Sequence, residues 1–180
     1  MESHELITPE LSRWIGRETP PRPLETIAAS DVRRYVDATG DANPLWLDND
    51  FARSAGYNGR ILPPVLVGWV PFSFKEGTDR ANTDPRHLRR QLLLRAEYTN
   101  VRNAGFESEW LEPVYLREQL STRTRITAIV ARQGNAGLGI YITQEEQLFN
   151  SDGRVVLRRV HTLAVFPDRK YSADKSQDRN

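Results

Sequence analysis

Apolar residues recur along this chain at two different periods, and the change between them falls near the middle. From Ser30 to Thr39 the apolar positions Val32, Tyr35 and Val36 share one face of a helix. Ser30 is a suitable N-cap and Asp31 suits the positive end of the helix dipole. Gly40 supplies the left-handed position that stops the helix. Asp41-Ala42-Asn43-Pro44 is a turn by composition, and Asp48 predicts the cap of a second short helix carrying Phe51, Ala52 and Ala55, ending at Gly56. Asn58-Gly59 marks another turn. An apolar run follows from Ile61 to Phe74, predicted to be helical between Pro64 and Pro71 and buried on all sides. Beyond a polar loop at 75–91 the period becomes two. Leu120, Thr122, Thr124, Ile126, Ala128 and Val130 are expected on one face of a strand. Leu138–Phe149 and Val155–Phe166 flank Asn150-Ser151-Asp152-Gly153, a hairpin signal. Phe106–Leu111 reads as a further strand and Leu92–Tyr98 as a weaker one. Helices first and four or five antiparallel strands afterwards is an α+β pattern.

Outside these elements, residues 1–25 are polar and rich in proline, with an amphipathic patch at Leu11, Trp14 and Ile15. They read as an N-terminal arm packed on a body at 26–166, and 167–180 as a mobile C-terminal tail with little apolar content. The 180 residues carry 25 basic and 24 acidic side chains, a balance that argues against a general nucleic-acid or membrane-surface binder. The chain has no cysteine, which excludes disulfide scaffolds, thiolate metal sites and cysteine nucleophiles. Its three histidines, His4, His87 and His161, lie far apart without short-range ligand spacing, so no metal is expected. No secretory leader is indicated, and the 14-residue run at 61–74 contains three prolines, too short and broken to span a bilayer. A cytoplasmic location is the expectation.

The stretch Gly40-Asp41-Ala42-Asn43-Pro44-Leu45-Trp46-Leu47-Asp48 resembles the G-D-x-N-P-[LI]-H-x-D signature of MaoC-like (R)-specific enoyl-CoA hydratases and dehydratases. Ala52-Arg53-Ser54-Ala55-Gly56-Tyr57 and Ile61-Leu62-Pro63-Pro64 resemble the N-terminal MaoC branch, the fatty-acid-synthase-like dehydratase domains. The likeness extends over about residues 8–166. It implies a hotdog fold, an antiparallel sheet wrapped around a long apolar helix. It also implies the addition of water to a trans-2-enoyl thioester, or its reversal. No cofactor is implied apart from the coenzyme A or carrier protein that belongs to the substrate. In such enzymes a carboxylate and a histidine hold the reacting water. A backbone N–H at the start of the central helix holds the thioester oxygen.

Asp41 matches the catalytic carboxylate of the resemblance, and Asn43 and Pro44 match its turn. The histidine position is Trp46, whose indole has one N–H donor and cannot accept a proton near neutral pH. The helix start aligns Pro63-Pro64 with a His-Gly pair, and Pro64 has no N–H to give an oxyanion. Asp41 therefore has two readings, a catalytic carboxylate or a turn residue bonding nearby backbone. Asn43, Trp46 and Pro64 are candidate substrate-site residues, and Trp46 equally fits plain core. Trp69 reads as core. Arg80, Arg86, Arg89, Arg90 and Arg95 make a locally basic stretch against the single acid Asp84. Arg86, Arg89 and Arg90 are the candidates for coenzyme A phosphates or an acidic carrier, with a solvated loop as the alternative. His161, on a strand, reads as structural before it reads as a replacement base.

Two absences in one machinery favour a subunit of a hydratase or dehydratase that shapes the acyl site for a MaoC-like catalytic partner, in a hotdog dimer or heteromer. A hotdog thioesterase using Asp41 alone, and a non-catalytic acyl-thioester-binding protein, are the alternatives.

Overall fold

The computed structural model describes residues 6–68, 100–134 and 137–167. The expected strand at Leu92–Tyr98, Trp69, His87, the arginines at 80–95 and the tail beyond 167 lie outside the described residues.

Alternation in the second half becomes three long strands and one exposed edge strand. They are β2 (Asn100–Trp110), β3 (Ser121–Gly134), β4 (Gly137–Phe149) and β5 (Val155–Phe166). A two-residue strand from the arm, β1 (Arg22–Pro23), completes an antiparallel sheet in the order β1-β3-β4-β5-β2. The turn between β4 and β5 forms as its composition predicts. Asn150 Oδ1 accepts from the N–H groups of Asp152 (3.1 Å) and Arg154 (2.9 Å), and Gly153 takes φ +76°.

β3 departs from the expected single face. Thr122, Thr124 and Ile126 are buried, but then the register shifts between Ile126 and Ala128, and Ile129 is the next buried residue. The bulge at Thr127 inserts one residue, so the inward set passes from even to odd numbers and Ala128 and Val130 leave it.

The arm does more than lie against the body. Its helix α1 (Pro9–Ser12) is capped by Thr8, whose Oγ1 accepts from Leu11 N–H. Leu6, Leu11 and Trp14 then pack with Ile126, Ile129, Ile140, Ile142 and Val165 as one buried cluster. From Gly16 to Leu24 the arm runs beside β3. Gly16 N–H donates to Ile126 O (2.8 Å), Thr19 N–H to Thr124 O (2.8 Å) and Leu24 N–H to Leu120 O (2.9 Å). One sheet edge is thereby covered. Among the described residues nothing pairs with the other edge, β2, and Phe106 on it is 68% exposed.

The first half supplies α2 (Ala29–Thr39), α3 (Pro44–Leu47), α4 (Asn49–Ser54) and α5 (Pro64–Gly68). α2 begins one residue before the expected start. Ala28 is the N-cap, and the Asp31 carboxylate closes the end by accepting Ala28 N–H at 2.8 Å, so Ser30 lies inside the helix. α2 ends at Gly40 (φ +73°), as expected. Asp48 Oδ1 caps α4 by accepting from the N–H groups of Asp50 and Phe51. Along α5, Val67 is buried, but Val65 is 51% exposed, so the apolar segment is not enclosed on every side at its start. A single sheet covers one flank of a helix, and Val65 is on the flank it does not reach.

Trp14 joins the arm to the sheet interior. Trp14→Ala is expected to reduce unfolding stability by about 3–5 kcal/mol, the usual cost of emptying a large aromatic site. Urea unfolding that shows a loss under about 1 kcal/mol would mean that the arm contributes little to the core.

Candidate functional site

The turn that the sequence singles out lies between two helices, and three side chains meet there. Gly40 ends α2 with its N–H on Val36 O at 2.7 Å. Asn43 caps α3, its Oδ1 accepting from Leu45 N–H at 3.0 Å, and Pro44 stands at the first turn, where a missing N–H costs nothing. Asp41, held between these caps, accepts two hydrogen bonds on the same oxygen. The Trp46 indole Nε1–H donates to Asp41 Oδ2 at 3.2 Å, and the Tyr35 hydroxyl donates to it at 3.2 Å.

Trp46 is 8% exposed and belongs to the core cluster with Leu24, Ile27, Val32, Ile61, Leu62 and Val67. Its ring is core and its N–H is the polar handle that burial requires to be paired. Tyr35 was legible only as a member of α2's apolar face. Its hydroxyl reaches Asp41 because the αL turn at Gly40 folds the chain back over the last turn of α2, and no spacing rule announces that contact. Partial burial, the hydrogen bond to Asp41 and the nearby negative charge together push the Tyr35 phenol above the ordinary tyrosine range.

Pro64 is the first residue of α5 and has no N–H to offer. Its carbonyl accepts from Trp110 Nε1 at 2.9 Å, which ties α5 to the end of β2. A cleft of about 270 Å³ lies at this junction, bounded by Tyr57, Ile61, Pro64, Val67, Trp110 and Val114. A second cleft, about 400 Å³, is bounded by Glu25, Ile27, Arg34, Tyr35 and Leu66, so that the donor to Asp41 and Leu66 of α5 face one space. Asp41 and Trp46 border neither cleft. Arg86, Arg89 and Arg90 lie outside the described residues.

Chemically, the arrangement fixes a carboxylate and, among the described residues, does not present it with a base. Both groups that meet Asp41 Oδ2 are donors, and the indole has no lone pair in the ring plane to pass a proton on. His161 is on β5, in register with Phe106 of β2 and Gln144 of β4, and not beside Asp41 in sequence or by any hydrogen bond. Burial, reinforced by the charge of Arg159, pushes the His161 imidazole below the usual histidine range, toward the neutral form. Among the described residues no group of three or more His, Asp or Glu side chains is arranged to hold a metal, and no helix is long and apolar enough to cross a membrane.

The family model for the FAS1-like dehydratase domain region matches residues 13–159. The chain belongs to that family. Its sequence is similar to a UPF0336 protein of Saccharopolyspora erythraea, 29% identical over 152 residues, covering 84% of this chain and 88% of that one. It is also similar to a probable enoyl-CoA hydratase alpha subunit of Thermomonospora curvata, 25% identical over 166 residues, covering 89% of this chain and 52% of that one. Its fold is similar to a chain of the ChsH1–ChsH2 complex from Mycobacterium tuberculosis, with a TM-score of 0.73 at 24% identity, covering 84% of this chain and 85% of that one. The fold is the MaoC-like hotdog that the signature implied.

The Tyr35–Asp41 bond gives the dehydratase-like turn of this family member a titratable reporter. A raised folded-state value for a phenol means that the neutral form is favoured by folding. The corresponding stability is present below the unfolded tyrosine value near 10 and is lost as pH rises through the folded value. Ultraviolet titration should show one tyrosine ionising above the ordinary range, and Asp41→Asn should bring it down. An unchanged titration curve in that variant would show that Asp41 does not hold Tyr35.

Proposed function

We propose that this chain is a subunit of a heteromeric enoyl-thioester hydratase or 3-hydroxyacyl-thioester dehydratase, in which a MaoC-like hotdog partner carries the intact Asp/His pair. The observation that carries this reading is the double occupation of Asp41 Oδ2 by the N–H of Trp46 and the O–H of Tyr35. Where the hydratase signature needs a proton acceptor and relay beside the carboxylate, this chain has a buried donor that locks it. The second gap is Pro64, which opens α5 without an N–H.

The need for a partner is supported by the edge of β2, which no described strand pairs. Phe106, Trp110 and Leu111 are exposed on or next to it, as is Val65 of α5, which Trp110 meets at the neighbouring Pro64 carbonyl, and a second hotdog could bury this apolar surface. The comparisons support the same reading, since one relative is named as a hydratase subunit and the similar solved chain comes from a two-component complex. In the assembled enzyme Pro64 would border the acyl space, Asn43 and Trp46 would shape it by holding the turn, and Arg86, Arg89 and Arg90 would meet the phosphates of coenzyme A or an acidic carrier. The acyl thioester brings coenzyme A or the carrier with it, and the proposed reaction needs no other cofactor.

The test is reconstitution with a hotdog chain that has the histidine in its signature. Asp41→Asn in this chain is expected to alter hydration of an enoyl-CoA by the pair only a few-fold. The matching change in the partner should lower it about 10²–10⁴-fold, the usual contribution of a positioned acid–base group. Collapse of activity on changing Asp41 here, with assembly intact, would overturn the assignment. Release of free thiol from a saturated acyl-CoA by this chain alone would point instead to a thioesterase.

Trp46→His alone is expected to leave the isolated chain without measurable hydratase turnover. It restores an imidazole but not the backbone donor missing at Pro64, and loss of one oxyanion donor costs about 3–4 kcal/mol of transition-state stabilisation. Substantial turnover from that one change would show that the oxyanion is held elsewhere.

A further inference from the structure

The inner face of the sheet is not uniformly apolar. Register places Ile126 (β3), Gln144 (β4), His161 (β5) and Phe106 (β2) side by side in one row, so their side chains share a face. The neighbouring row is Thr124, Glu146, Arg159 and Ser108. Ile126, fully buried, belongs to the arm-covered cluster, and beyond the second row Leu148 and Leu157 belong to the cluster under the helices.

The polar groups of the second row are satisfied. Arg159 donates to Glu146 Oε2 (3.3 Å), Ser108 Oγ (3.3 Å) and Gly68 O (2.7 Å), and Thr122 Oγ1 donates to Glu146 Oε1 (3.3 Å). That guanidinium is spoken for and offers nothing to an anion. Gln144 and His161 differ from it. Among the described residues neither side chain makes a hydrogen bond or an ion pair. Exposure also rises along their row, from the sealed Ile126 through half-buried Gln144 and His161 to Phe106 at 68%. The row opens toward the β2 edge, where the proposed partner would dock.

We propose that Gln144 and His161 form a binding site for an uncharged oxygen, a carbonyl or hydroxyl carried on the acyl group away from the thioester. The proposal rests on the acyl-thioester reading above and adds a substrate class to it. A neutral imidazole and a primary amide can each donate one hydrogen bond to such an oxygen, and each retains an acceptor for a hydroxyl proton. The surrounding Ile126, Phe106, Ile142 and Leu163 provide apolar walls on the same and the adjoining row. A plain alkyl chain in this position would leave both polar groups without partners, which is the basis for discrimination.

The test compares dodecanoyl-CoA with its oxo derivatives, a set of positional isomers with one ketone moved along the chain from C6 to C11, each titrated into the reconstituted pair with only this chain isotopically labelled. One isomer is expected to bind about ten-fold more tightly than dodecanoyl-CoA. The same isomer should shift the His161 ring signal, which is assignable because the chain has only three histidines and His161→Phe removes it. His161→Phe and Gln144→Leu should each erase most of the preference, in part by tightening dodecanoyl-CoA, whose chain then leaves one polar group fewer without a partner. Sequential backbone assignment of the three histidines identifies the same signal in the unaltered protein, so the ring shift does not depend on either variant folding. If dodecanoyl-CoA binds but no isomer is preferred, or the His161 signal stays still, the oxygen site is overturned and the acyl-thioester reading stands. If neither dodecanoyl-CoA nor any isomer binds, both are overturned.

Discussion

The inner face of β3, β4 and β5 must be buried, and everything else in the described structure is arranged around that requirement. These strands are 12–14 residues long, and their inward positions are mostly aliphatic, with Ile126, Ile140, Leu157 and Val165 fully buried. Among the described residues two unrelated pieces of chain cover them. The helical half covers one end through Val32, Trp46, Leu62 and Val67, and the arm covers the other through Leu6, Leu11 and Trp14. Burial of a large side chain contributes about 1.5–3 kcal/mol, so neither piece is dispensable in a domain whose net stability is on the order of 5–15 kcal/mol. Between them the Arg159 guanidinium ties the Gly68 carbonyl of α5 to Glu146 and Ser108 of the sheet. A Cβ at Gly68 would lie 2.6 Å from Arg159 Nη2, so glycine there permits the close approach.

The turn at Asp41 shows how a catalytic constellation and a structural one can use the same backbone. The caps at Gly40 and Asn43 and the proline at 44 build the turn whatever side chain follows two residues later. With an imidazole at position 46 the turn could present a water between acceptor and donor. With an indole it instead closes on itself, because Trp46 fills the core and directs its only polar atom at Asp41. The same helix start that lacks an N–H at Pro64 gives its carbonyl to Trp110, so α5 is fastened to the end of β2. Both departures serve attachment, Trp46 to Asp41 and the Pro64 carbonyl to Trp110.

Several elements were legible from the residues themselves. β5 runs over the expected Val155–Phe166, α2 stops at Gly40, α4 is capped by Asp48, and the Asn150–Gly153 hairpin forms. Each rests on a handful of neighbours: a left-handed glycine, a capping oxygen, an alternation of two. The dehydratase-like turn, and the departures at Trp46 and Pro64, were legible for the same reason, since side-chain identity alone decides what can donate or accept a proton. What only the tertiary structure decided involves partners far apart in the chain. The Thr127 bulge reassigns the inner face of β3, because register answers to the opposing strand β4 and not to local propensity. The arm's role as a sheet edge depends on carbonyls more than 95 residues away. Tyr35 joins Asp41 only after Gly40 reverses the chain, and Gln144 meets His161 only after the hairpin pairs β4 with β5. Local sequence fixes what each residue can do, but a hydrogen bond or a shared face also needs a second residue brought alongside, and that requires the folded sheet.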